Sequence, residues 1–228
     1  IGSFGPLALI QDILALCAMI GVSYGLYLRL VVNPERYKGS HKNQGIKVLL
    51  FIFTIVLTLL ITNGIRVNLN EDALSAWRPI SAIFGSVFAG LNHNAQFVVE
   101  ETAYWIHLGV VLMFLTELPQ GKHFHVVTSI PAVLLRDLEP RGRLPKPVET
   151  EGSVGVGKME QFRWRQLLDL YTCTECGRCQ DMCPAYNSGM PLSPKLLMMN
   201  LRDNLKERGA ALSAGKTDGV LSKSLIGD

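Results

Sequence analysis

Three long apolar runs constrain this chain more than any other feature. Leu7–Val32 is interrupted early by Gln11 and Asp12 and closed by Arg29. Lys47–Arg66 contains the uncharged stretch Leu49–Thr62, and Ala103–Leu118 follows Glu100 and Glu101. Each approaches the ~20 residues that a helix needs to cross a bilayer. The cores of the first two are apolar all round, as in lipid-embedded helices, with no polar stripe. Spans are expected at about 7–32, 47–66 and 99–118. Trp77–Leu91 is apolar but short, with Pro79 near its start and Gly85 and Gly90 within it. It is expected as a helix at the membrane surface or partly re-entrant.

Charge gives the expected topology. Arg36, Lys38, Lys42 and Lys47 follow the first run, and Lys122, Arg136, Arg141, Arg143 and Lys146 follow the third. The excess of Lys and Arg on cytoplasmic loops puts both segments inside and Glu71 and Asp72 outside. Three crossings satisfy that pattern, whereas a fourth at Trp77–Leu91 reverses it. Leu7–Val32 is too long for the apolar core of a signal peptide. Residues 138–158, rich in Pro, Gly and charge, read as a linker. Beyond it, residues 159–228 read as soluble and helical, with Phe162, Trp164, Leu167 and Leu168 at helical spacing and Lys195–Arg208 as a second helix. The fold class is all-α: a transmembrane bundle over residues 1–137, then a helical ferredoxin-like domain.

That soluble part carries Cys173-x-x-Cys176-x-x-Cys179-x-x-x-Cys183-Pro184. The spacing is that of the run that wraps thiolates around a [4Fe–4S] cube. Gly177 supplies backbone freedom inside the loop, and Pro184 ends it. Zinc also binds Cys-x-x-Cys pairs, but zinc knuckles show two separated pairs. A disulfide framework conflicts with a basic flank that reads as cytosolic, where thiols stay reduced. In two-cluster ferredoxins the fourth cysteine of such a run serves the other cluster. Cys183 therefore either closes a single cluster or serves a second one whose motif lies beyond Asp228. The remaining cysteine, Cys17, sits deep in an apolar run and is a poor fourth ligand. The chain starts at Ile1 without an initiator Met and is expected to be a piece of something longer at both ends.

The histidines add a second pattern. His107 lies inside the third run, and an ionisable residue in a membrane helix is a functional candidate by default. His125 follows eighteen residues later. On one continuous helix that is five turns, the same face and ~27 Å further along. Two stacked haems fit that offset, each taking one imidazole. The bland reading has His125 and its neighbour His123 as interfacial residues, with Pro119 and Gly121 breaking the register. His41 and His93 read as solvated loop residues.

The stretch from His107 through Gly109, Phe114, Pro119 and Lys122 to His125 resembles the last transmembrane helix of the gamma subunit of respiratory nitrate reductases, a di-haem cytochrome b. That resemblance implies b haems on His107, toward the outside, and on His125, toward the cytoplasm. Their partner histidines would lie upstream of Ile1. Phe162–Asp203 is similar to the iron–sulfur subunit of heterodisulfide reductases, through Cys173–Cys179, Cys183-Pro184-Ala185 and Pro191-Leu192-Ser193-Pro194-Lys195. Fused, the two modules resemble membrane-bound iron–sulfur oxidoreductases of the electron-transfer-flavoprotein:menaquinone oxidoreductase type.

The resemblance implies an enzyme of a bacterial or archaeal cytoplasmic membrane, with its iron–sulfur domain on the cytoplasmic side. It implies two [4Fe–4S] clusters and two b haems in the full protein. Electrons would pass between a soluble flavoprotein and menaquinone, and the same cofactors serve either direction of flow. Membrane lipid, quinone and the flavoprotein are the expected partners, and nucleic acid is not. Two other classes stay open: a membrane anchor and electron-entry part for an enzyme acting on a thiol or disulfide, and a zinc-stabilised adaptor. Arg178 is a candidate for raising the cluster potential or for docking. Glu100 and Glu101 are candidates for relaying protons to a quinone, or for a solvated helix start.

Overall fold

An Asp inside an apolar run must find donors or not be there. In the computed structural model, which describes residues 4–39, 41–136, 138–139, 149–150, 153–154 and 156–215, Asp12 finds three. It lies on α1 (Gly5–Tyr27), which continues through a π-helical turn to Val32. Its carboxylate, 2% exposed, accepts from Ile80 N at 2.7 Å, Ser81 N at 3.1 Å and Ser81 Oγ at 2.5 Å. Those donors open α3 (Pro79–Ser86), whose first N–H groups have no partner within the helix. The carboxylate also suits the positive end of that helix. Asp12 thus pins α3 to α1. Asp12→Ala is expected to lower unfolding stability by about 3 kcal/mol, because buried donors lose a charged acceptor. Denaturant titration in detergent checks this, and an unchanged midpoint contradicts it.

Two longer helices complete this unit, α2 (Lys42–Asn68) and α4 (His93–Glu117). Among the described residues, Gly5–Val32, α2 and α4 are the three helices long and apolar enough to cross a membrane. Each starts before the expected span, α2 and α4 because polar first turns continue the helix. Only 11% of the most apolar window of α4 is buried, so its apolar surface faces outward. α2 is the hub, packing on α1, α3 and α4. Leu60, Val56 and Ala15 centre the core, with Ile52, Ile80 and Phe84 against them. At the α2–α3 crossing a Cβ on Gly64 would lie 2.2 Å from Ser81 O, so backbone meets backbone there, as small residues allow in membrane bundles. α3 has eight residues and rises ~12 Å, too little to cross. α2 and α4 run antiparallel, tied at one end by Lys47–Glu117 and at the other by Arg66–Glu100.

The chain divides into two compact units. One holds Ile1–Pro34 and His41–Pro119, the other Glu35–Ser40 and Gln120–Asp228. The division falls at Pro119, well before the linker-like residues 138–158. The reason is α5 (Phe124–Leu134), which packs on α6 (Trp164–Thr172). The Phe124 and Tyr171 rings meet edge-on at 5.8 Å. Arg165 donates to Ala132 O at 2.7 Å and Leu135 O at 3.1 Å, serving carbonyls left over at the end of α5. The second unit continues with α7 (Arg178–Asp181), α8 (Pro184–Asn187) and α9 (Pro194–Ser213). A pair of two-residue antiparallel strands, β1 (Glu149–Thr150) and β2 (Ser153–Val154), is the only non-helical pairing among the described residues. Part of the linker-like stretch, 140–148 in particular, lies outside them.

Candidate metal centre

Three of the four motif cysteines sit at the ends of helices, and Cys176 lies in the loop between α6 and α7. Cys173 caps the C-terminus of α6, Cys179 lies in α7 and Cys183 precedes Pro184, the first residue of α8. Two residues with positive φ reverse the chain between them: Glu175 at 57° and Gly177 at 80°. Gly177 has no room for a side chain, since a Cβ would lie 2.6 Å from Arg36 O. All four thiols are free, with Cys176 and Cys179 exposed and Cys173 and Cys183 half-buried. Among the described residues no three His, Cys, Asp or Glu side chains gather tightly enough for a single ion.

Glu175 is a buried hub within the loop. Its carboxylate pairs with Lys122 at 2.7 Å and with Arg202 of α9. Arg202 also donates to Cys173 O at 3.2 Å. Lys195, 1% exposed, donates from Nζ to Arg36 O at 2.8 Å and to Lys38 O, fastening the Glu35–Ser40 segment beside Gly177. Burial pushes its ammonium below the ordinary lysine value, against the pull of Glu175, Cys179, Asp181 and Cys173. Ser193 donates to Gln180 Oε1 at 2.5 Å, seating the start of α9 on α7. Near the loop, two buried donors make no hydrogen bond: Arg36 Nε, beside Gly177, and Arg202 Nε, which lies 3.8 Å from Asp203 Oδ1. Four thiols in one reversed loop, cations buried beside it and the unmatched Arg36 Nε fit an anionic, sulfur-rich cluster. Arg178, the cation singled out from sequence, is exposed. Of the cations around Glu175, Lys122 entered the sequence reading only through topology and the His107–His125 resemblance, and Arg202 carried no role of its own. Lys195 stood in the quoted Pro191–Lys195 run, which was its only signal.

The two histidines are not on one helix. α4 stops at Glu117 and α5 starts at Phe124, with turns between. Pro119 offers no N–H to continue α4, so the five-turn register from His107 to His125 fails. The pair falls in different units. Each is nevertheless prepared in the same way. His107 Nδ1 lies 3.0 Å from Ile55 O and 3.0 Å from Thr58 Oγ1, whose hydroxyl itself donates to Thr54 O at 2.7 Å. His125 Nδ1 lies 2.7 Å from Lys122 O. A carbonyl only accepts, so each Nδ1 carries a proton, and in the neutral ring the lone pair is then on Nε2. That second-shell bond is how metal-ligating histidines are oriented. The His123 ring stands 5.7 Å from His125. Burial, then the His125 ring, lowers the pKa of His123. His93 is exposed at the start of α4, and His41 precedes α2.

The acidic pair separates. Glu100, 4% exposed, is held by Arg66 Nε at 2.5 Å. Glu101 is exposed, in an open, mostly apolar groove of about 520 Å³ along α4 with Phe97, Thr102 and Trp105.

No family model and no solved structure matches the chain. Among curated proteins it is 39% identical over 219 residues to a probable iron-sulfur-binding oxidoreductase, FadF, of Bacillus subtilis, covering 93% of this chain and 31% of that protein. It is 32% identical over 222 residues to the EtfAB:quinone oxidoreductase of Syntrophomonas wolfei, covering 92% and 31%. A probable membrane-anchored ferredoxin of Chromohalobacter salexigens matches at 42% over 53 residues, 23% of this chain and 8% of that protein. The chain spans about a third of the length of the first two relatives.

Proposed function

We propose that this chain is the membrane and cluster-binding part of a quinone-linked iron–sulfur oxidoreductase, exchanging electrons with a soluble flavoprotein. The observation that carries the reading is the reversed four-cysteine loop set among buried cations. The similarity to an EtfAB:quinone oxidoreductase over 92% of the chain supports the choice of partners. Cys173, Cys176, Cys179 and Cys183 would hold a [4Fe–4S] cluster, with Cys183 open to serving a second one. His107 and His125 would each give Nε2 to a b haem, their other ring nitrogen already bonded to a carbonyl. When bound, these groups supply one-electron steps between a two-electron flavin and a two-electron quinone.

The protein's own part is to fix ligands and manage protons. The buried Glu175–Arg202 pair holds the cysteine loop in its reversed form. Glu100 is tied to Arg66, so Glu101 is the carboxylate available to a quinone headgroup lying along α4. Quinone reduction takes up two electrons and two protons, and an exposed carboxylate can pass on the protons. The basic segments after α1 and α4 support a cluster unit on the cytoplasmic side of a prokaryotic membrane. Full-length protein in detergent, given chemically reduced electron-transfer flavoprotein and a menaquinone analogue, is expected to turn over quinone. Cluster reduction without any quinone turnover would instead favour the anchor of a thiol- or disulfide-acting enzyme.

A further inference from the structure

The amphipathic character of α5 is inverted. Its side toward α6 carries the buried Thr128 and Ala132, with the Phe124 ring against Tyr171. Its other side is a stripe of Val126, Val127, Ile130, Val133 and Leu134 at helical spacing, each more than half exposed and Leu134 at 78%. Among the described residues nothing covers that stripe. A helix of a water-soluble unit turns its largest apolar side chains to the core and its hydroxyl groups to water. Here the order is reversed, and a contiguous bare apolar face marks an interaction site.

Composition, place in the chain and rim all point to lipid. The stripe holds Val, Ile and Leu with no aromatic or charged side chain, whereas protein-binding faces concentrate their energy in Trp, Tyr and Arg. Only six residues separate α5 along the chain from α4, a helix long and apolar enough to cross a membrane. Past the C-terminal end of α5, Arg136 is exposed. Trp164, 62% exposed, precedes Arg165, which donates to the carbonyls of Ala132 and Leu135. Trp and Arg are anchors at the headgroup level. With 11 residues α5 rises ~16 Å, too little to cross, so it suits a place along a surface. We propose that α5 is an interfacial helix. Its Val126–Leu134 stripe lies in the acyl chains of the membrane that α1, α2 and α4 cross, and holds the cysteine-bearing unit on that surface. This role needs only the spans and α5, and neither cluster nor haem.

The test places the photoreactive amino acid p-benzoylphenylalanine at Ile130 or at Leu134 in the full-length protein, reconstituted in nanodiscs of phosphatidylcholine and phosphatidylglycerol. Leu112, exposed on α4, is the lipid-facing control, and Lys206, exposed on α9, is the aqueous one. After irradiation, mass spectrometry identifies what each position has joined. Positions 130 and 134 are expected to give phospholipid adducts in a yield comparable to position 112, with none at 206. Crosslinks from 130 and 134 to polypeptide, with lipid adducts only at 112, overturn the proposal and give the stripe to a protein partner. No adduct at 130 and 134 while 112 labels also overturns it, because the stripe then faces water. Equal lipid labelling at 206 does the same, since α5 is then not singled out. If one substitution prevents folding, the other decides on the same terms. Loss of the redox reading would leave each of these outcomes as it stands.

Discussion

Cys176→Ser is expected to strip the cluster signal assigned to this loop and to disconnect the flavoprotein from quinone. Cys176 is exposed, between the buried Glu175 and the close-packed Gly177, and its side chain supports no packing. Its replacement leaves the Glu175–Arg202 and Glu175–Lys122 pairs in place, so the unit keeps its fold. A serine oxygen is a far poorer ligand for iron than a thiolate. The loss should exceed the about 10–100-fold typical of removing an outer-shell partner. Iron and sulfide analysis, EPR and quinone turnover measure it together. Flavoprotein-driven quinone reduction at an undiminished rate would take this loop out of the electron path.

His107→Ala and His125→Ala are each expected to remove one b-type haem and leave the cluster. His107 is fixed between α4 and α2 by Ile55 O and Thr58 Oγ1, and His125 by Lys122 O. Both bonds assign the proton to Nδ1 and leave Nε2 for a metal. A histidine placed only for packing or at a lipid interface has no need of that arrangement twice. Pyridine haemochrome analysis of each variant gives the count, and wild-type haem content in either one rejects that residue as a ligand. The Thr58 hydroxyl gives a milder check: Thr58→Val leaves the carbonyl bond and should keep the haem.

The long helices were legible because a lipid-embedded segment has to advertise itself as an apolar run, and all three runs fall within helices. The left-handed turn at Gly177 was legible too, since few residues tolerate that conformation. The partnerships were not. Asp12 reads as an interruption of an apolar run until Ile80 and Ser81, nearly seventy residues away, are seen to donate to it. Glu175, between two cysteines, is buried against Lys122 and Arg202, which come from distant segments, and nothing local in the sequence marks it. Such ion pairs leave no periodic trace in a sequence. The helix break at Pro119 is one of the two alternatives the sequence leaves open, and the structure takes it, so α5 belongs with α6. Arg178 drew attention by adjacency to a ligand, whereas the buried cations come from the Lys122 segment and from α9.

The most direct test of a quinone-linked electron path is a reduced-minus-oxidised visible spectrum of the full-length protein in detergent, recorded before and after a menaquinol analogue is added. The account predicts sharp b-type α bands that develop with the quinol, joining haem and quinone in one protein. Broad iron–sulfur bleaching by dithionite alone, with no α band and no response to quinol, would contradict it.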